Sequence, residues 1–150
     1  MTHCYGSARQ TVDLDTCDLA PSTQYKEIER LSCEGSLLYR KYRLYIQRVT
    51  VATIPCDHLD RVIQIDTPNL SNLTLCALEA HDLALSKLER SQDRDLSDVQ
   101  HLAAQGHINA KTLIERYHEE HRLYLLGDLH RYDRTLNLWL NLCWPAQYPA

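Results

Sequence analysis

The 150-residue sequence predicts an α+β fold, with a β-rich first half followed by a helical second half. Three observations lead to that class. Up to about residue 78, short runs rich in Val, Ile, Thr and Tyr are separated by turn residues, as in Thr11–Asp15, Tyr42–Val49, Arg61–Asp66 and Leu73–Leu78. After Glu79 the apolar period changes from two to 3.6, with Leu83, Leu85 and Leu88 opening a series of amphipathic segments. Gly106 and Gly127 then fall where helix C-termini need them. We therefore expect residues 1–78 and 79–150 to form two parts packed together as one domain.

In chain order, Gly6–Ser7 reads as a turn feeding a strand over Thr11–Asp15. A helix is expected from Ser22 to Cys33, with Ser22 or Thr23 as its N-cap and Gly35 closing it. Leu37 to Thr53 reads as one or two strands, because Tyr39, Tyr42, Tyr45, Ile46, Val49 and Val51 favour extended backbone. Arg40, Lys41, Arg43 and Arg48 interleave there and form the only dense basic cluster. That cluster is either a solvated strand face or a phosphate or RNA contact. Two short strands, Arg61–Asp66 and Leu73–Leu78, flank a loop at Pro68, Asn69 and Asn72. Four helices complete the chain: Glu79–Arg90, Arg94–Gln105 capped by Ser91 or Asp93, one from Asn109 to about Leu126, and one starting at Asp128. In the last of these Leu129, Tyr132, Leu136, Trp139, Leu140 and Cys143 make one apolar stripe, which reads as core.

Composition narrows the function classes. There is no 18-residue apolar run and no signal-peptide pattern at the N-terminus, so a cytoplasmic protein with no membrane partner is expected. Cys4, Cys17, Cys33, Cys56, Cys76 and Cys143 are scattered without a C-x-x-C pair, which supports neither a disulfide framework nor a zinc module. A net charge of −4 gives no global attraction to polyanions, so any such partner must meet a local basic patch. Phosphate-loop, zincin, serine-hydrolase and dinucleotide fingerprints are absent. His118 and His121 stand at i, i+3, a spacing that would suit a surface metal clip but reads as a solvated helix face.

The chemistry-bearing stretch is Arg9–Gln10–Thr11–Val12–Asp13–Leu14–Asp15. In a strand, Asp13 and Asp15 fall on one face roughly 6.5–7 Å apart. Like charges that close repel, and a divalent cation removes the repulsion; hard carboxylate oxygens suit Mg²⁺. Two carboxylates facing water at a strand end are the plainer reading of so short a motif.

Two blocks together resemble a known family. Gly6-x-x-Arg9-x-Thr11-x-Asp13-x-Asp15 resembles the segment of nucleotidyltransferase-fold proteins that carries their paired aspartates. His81–Leu88, with Lys87, followed by Arg94–Asp95–Leu96–Ser97–Asp98, is similar to their later helical block. The nearest likeness is to the uncharacterised bacterial nucleotidyltransferase-like group related to abortive-infection toxins. That resemblance implies a small mixed sheet followed by about four helices, and Mg²⁺-dependent transfer of a nucleoside monophosphate from an NTP to an RNA or protein hydroxyl. It implies a toxin–antitoxin or phage-defence setting with an antitoxin partner. Asp13 and Asp15 would hold the metal, in the same cleft as Lys87. Lys87 and Asp98 would serve catalysis, and Arg9, Thr11, Arg94 and Asp95 would bind substrate. Family enzymes open with a further strand and a Gly-rich phosphate loop, which has no counterpart before Gly6. A truncated N-terminus, with activity weakened or lost, is expected on that ground. Gln47 stands where a third carboxylate is expected. The rival expectation is a non-catalytic interaction domain that keeps the fold.

Overall fold

In a computed structural model of the chain, residues 2–6, 13–17, 22–49, 52–66, 68 and 71–149 are described. The chain divides into two compact units, Met1–Ser7 with Ala52–Ala150, and Ala8–Val51. Small sheets and several helices make the whole α+β.

In the unit Ala8–Val51, β1 (Asp13–Thr16) pairs in parallel with β2 (Tyr45–Arg48), in the register Asp13↔Tyr45, Leu14↔Ile46, Asp15↔Gln47 and Thr16↔Arg48. A parallel pair needs a crossover, and two helices supply it. A 3₁₀ turn at Ser22–Gln24 leads into α2 (Tyr25–Ser32), and α3 (Leu37–Tyr42) follows. The expectation of one or two strands over Leu37–Thr53 is corrected for its first third, which is helical, while β2 gives one of the expected strands. The Ser36 hydroxyl accepts from the Tyr39 N–H at 3.1 Å, an N-cap that starts the turn. Leu, Arg and Lys then propagate it. Arg43 ends it in the left-handed region with φ 56°. Tyr39 and Tyr45 meet edge to face at 5.8 Å, joining α3 to β2.

In the other unit, α1 (Thr2–Tyr5) is a single turn that the sequence did not announce. Tyr5 anchors it, since its hydroxyl donates to the Leu78 carbonyl at 2.6 Å. The Tyr5 carbonyl lies 2.8 Å from Nε2 of His101. β3 (Ile63–Ile65) and β4 (Leu75–Ala77) form an antiparallel ribbon in which Gln64 faces Cys76. Among the described residues the strands form two two-stranded ribbons, where one small mixed sheet was expected.

The helices follow. α4 (Ala80–Leu85) is shorter than expected and passes into turns before α5 (Asp93–Ala104). Gly106 takes φ 73° just past α5, where a side chain would be strained, and His107 N–H bonds back to the Leu102 carbonyl. Asn109 caps α6 (Ala110–Arg116) by accepting from the Thr112 N–H at 2.9 Å. The expected long third helix loosens into a π turn, Tyr117–His121, and a 3₁₀ turn, Arg122–Tyr124. Asp128 caps α7 (Leu129–Cys143). Leu85, Leu88, Val99, Leu102, Leu113, Tyr117, Leu136, Trp139 and Leu140 form the core between these helices. No helix among the described residues is long and apolar enough to cross a membrane.

Candidate functional site

Asp13 and Asp15 lie two positions apart on β1, and Asp15 is exposed. Gln47 is in register with Asp15 on β2 and is also exposed. An amide therefore stands in register with the second aspartate. Thr16 ties the two strands through its hydroxyl, which donates to the Gln47 carbonyl at 3.3 Å. Arg9 and Thr11 lie outside the described residues.

Lys87 and the Arg94–Asp98 turn do come together. Lys87 Nζ lies 3.0 Å from Asp98 Oδ2 and 3.9 Å from Asp95 Oδ1, with its side chain only 15% exposed. Local chain geometry produces this. Lys87 sits in the turns after α4, Ser91 takes φ 47° and its N–H bonds to the Lys87 carbonyl, and α5 starts at Asp93. The start of α5 is set by Asp95, whose carboxylate accepts from the Gln92 N–H at 2.9 Å, so Gln92 occupies the cap position rather than Ser91 or Asp93. Arg90 grips the same carboxylate with Nε at 2.9 Å and Nη2 at 2.5 Å. Burial alone would raise the Asp95 pKa, but Arg90, the Gln92 N–H and Lys87 outweigh it and hold the carboxyl below its usual range.

Asp95 is fully buried, and Arg90 and the Gln92 N–H bond to its carboxylate. Arg94 is exposed and makes no ion pair with a described residue. Asp98 is 5% exposed. A lysine ammonium has three N–H donors. Holding it with two carboxylates fixes its position.

A second ionic cluster escaped the sequence reading. Asp82, on the inner face of α4, is fully buried and accepts from Arg61 Nε and Nη2, both at 3.1 Å, and from Arg116 Nη1 at 3.0 Å. Arg61 also reaches Glu120 at 2.5 Å, and Arg116 also pairs with Glu79. His81 Nδ1 lies 2.8 Å from Glu79, while its Nε2 accepts from the Asn109 N–H at 3.0 Å. Burial raises the Glu79 pKa, yet the contacts with His81 and Arg116 prevail and bring it to about 2. The cluster staples the turn at residues 58–61 to α4, α6 and the π turn. The legible signal was Asp82 itself, which shares the apolar helix face with Leu85 at i, i+3.

His121, expected on a solvated face, is fully buried. The widened π turn rotates it inward, where its Nε2 meets the Thr53 carbonyl at 3.0 Å. Burial pushes its pKa down. That placement removes the His118–His121 clip.

Two other clusters carry no chemistry. Cys56, Asp57 and Glu120 bring three ligand atoms within 4.8 Å of one another. Arg61 already occupies Glu120, and desolvation and Asp57 raise the Cys56 thiol pKa, which disfavours the thiolate a metal needs. A cleft of about 280 Å³ beside α7 holds Asp133, but Arg122 binds that carboxylate through two nitrogens and the Tyr117 hydroxyl donates to it at 2.6 Å. Asp133, Arg122 and Tyr117 there bond to one another.

No curated protein and no solved structure matches the chain significantly. A family model described as "nucleotidyltransferase of unknown function" (DUF6036) matches residues 4–142, almost the whole length. With paired aspartates on β1, and Lys87 seated against Asp95 and Asp98 after α4, the chain belongs to that nucleotidyltransferase family.

Proposed function

We propose that the protein transfers a nucleoside monophosphate from an NTP to a hydroxyl on RNA or protein, in a Mg²⁺-dependent reaction. The observation that carries this reading is the Lys87–Asp98–Asp95–Arg90 arrangement in a chain of this family. A lysine shielded from bulk water and braced by carboxylates is a positioned point charge, which suits polyphosphate better than a free surface lysine does.

Asp13 and Asp15 offer hard oxygen donors at alternate positions of an extended strand, a donor set that fits Mg²⁺. When bound, Mg²⁺ neutralises phosphate charge and lowers the cost of the developing negative charge. The acceptor hydroxyl loses its proton to solvent and forms the new O–P bond as pyrophosphate leaves. Lys87 keeps one donor on Asp98 and turns its remaining N–H groups to phosphate oxygens. Asp98 and Asp95 position Lys87, and Arg90 neutralises and fixes Asp95. Arg9, Thr11 and Arg94 add contacts to the substrate. Setting and partner follow the same reading: a toxin–antitoxin or phage-defence role in the cytoplasm, with an antitoxin as partner.

A second reading has one specific observation in its favour. Gln47 beside Asp15 leaves the site short of one carboxylate, as in a domain that has kept the fold for binding other molecules. Transfer of label from α-³²P NTPs to cellular RNA and protein separates the two. We expect Mg²⁺-dependent labelling that falls by about 10²–10³-fold in Lys87→Met, the scale of losing one electrostatic donor to a transition state. Labelling unchanged in Lys87→Met overturns the role of that lysine. No labelling of either acceptor with any NTP favours the binding domain.

A further inference from the structure

We propose that the surface formed by α3 and its C-terminal cap docks single-stranded RNA. This rests on the reading above, in which RNA is one of the two acceptor classes, and it chooses between them. Between Glu34 and Asp57 the sequence has no acidic residue, while Arg40, Lys41, Arg43 and Arg48 fall within that stretch. A chain of net charge −4 thus concentrates positive charge on one short element and its neighbour strand.

The structure turns this segregation into a surface. Arg40, Lys41 and Arg43 are all exposed, and none of them forms an ion pair with a described residue. Leu37, Arg40 and Lys41 share one face of α3 at i, i+3 and i+4, with Leu37 81% exposed. Tyr42 is 62% exposed, with Lys41 Nζ 5.0 Å from its ring centre. Arg48 lies over the Tyr25 ring at 5.1 Å, on the neighbouring strand. Cations that follow a phosphate backbone, interleaved with an exposed aromatic on which a base can stack, are the components of single-strand recognition.

Position 43 adds a further argument. A left-handed backbone at φ 56° is strained for an arginine, and Gly or Asn would cap the helix at lower cost. An arginine there adds its charge beside Arg40 and Lys41.

An anionic membrane is the competing polyanion, since Leu37, Leu38, Tyr42 and Leu44 are exposed alongside the cations. Helix length argues against it. Six residues rise only about 9 Å, too little to bury a continuous apolar face at a lipid surface.

The test is fluorescence anisotropy of a labelled 16-nucleotide mixed-sequence RNA with the full chain, in EDTA and without NTP. Those conditions make the result independent of metal binding and transfer. The wild type should bind with a log K against log[salt] slope of about −2 to −3, as expected for the cations presented here. Arg40→Gln/Lys41→Gln/Arg43→Gln should bring that slope close to −0.7 or abolish binding. Tyr42→Ala should weaken binding about tenfold or more with the slope unchanged. All replaced side chains are exposed, so the variants should melt like wild type, which confirms folding.

Absence of RNA binding overturns the proposal, as does binding insensitive to both variants. So does loss, in the triple variant, of binding to vesicles containing 30% phosphatidylserine while RNA binding is retained. If label transfer fails and RNA binding behaves as expected, the docking surface stands without the catalytic reading. If transfer to RNA occurs and these variants leave RNA binding intact, only the docking surface falls.

Discussion

Trp139→Ala should lower the unfolding free energy by about 3–5 kcal/mol, the largest single-residue loss expected in this chain. Trp139 is 1% exposed and lies on the stripe of α7 that also buries Tyr132, Leu136 and Leu140. Truncation removes a large apolar surface and leaves a cavity that close-packed neighbours fill only in part. Urea unfolding followed by circular dichroism measures the loss. A Trp139→Ala protein with the wild-type midpoint would mean that α7 does not hold the core together. Leu138 and Leu142, at 50% and 45% exposure on the same helix, supply the control, because their truncation should cost far less.

Asp82→Ala is expected to cost about 3 kcal/mol, through a different mechanism. Three hydrogen bonds from Arg61 and Arg116 end on this fully buried carboxylate. Removing one member of a buried ionic cluster leaves the others desolvated and under-compensated. The arginine side chains are 22% and 16% exposed and keep Glu120 and Glu79, which holds the loss at the low end of that range.

The same cluster predicts an acid limb of the stability profile. Glu79 has a folded pKa of about 2, below the ordinary value of 4.5, so its contribution is complete above pH 4.5 and is lost as pH falls toward 2. His121 is held neutral by burial, so its contribution is complete above about pH 6.5 and declines on acidification. Melting temperatures measured from pH 7 to pH 2.5 should fall in both windows. Glu79→Gln should flatten the lower one, and an unchanged lower limb in that variant would remove Glu79 as its cause.

The helical half was the more legible in sequence. Asn109, Asp128 and Gly106 are local signals that the structure uses where the sequence puts them, whereas Gly127 takes φ 94° after a 3₁₀ turn rather than closing the expected long helix. The π turn was not legible, because Tyr117–His121 has ordinary helix composition and widens through its tertiary partners Thr53 and Asp133. Leu37–Tyr42 misled because tyrosines favour strands, while one capping serine sufficed to start a helix.

For the candidate site, strand alternation drew attention to Asp13 and Asp15, while Lys87, Asp95 and Asp98 were singled out by resemblance, and the structure brings those three together. Neither could show that Asp95 faces inward, because that depends on Arg90 reaching across the turn at Ser91. Arg61 lies 21 residues from Asp82 and 59 from Glu120, and its partners could be seen only once the chain was folded.

The central claim is that Asp13 and Asp15 hold a metal that recruits nucleotide. Titration calorimetry with each NTP, with and without Mg²⁺, on wild type and on Asp13→Ala/Asp15→Ala, tests it most directly. We expect NTP binding by the wild type in Mg²⁺, little in EDTA, and none in the double variant. Binding that needs no metal, or that survives unchanged in Asp13→Ala/Asp15→Ala, contradicts the account.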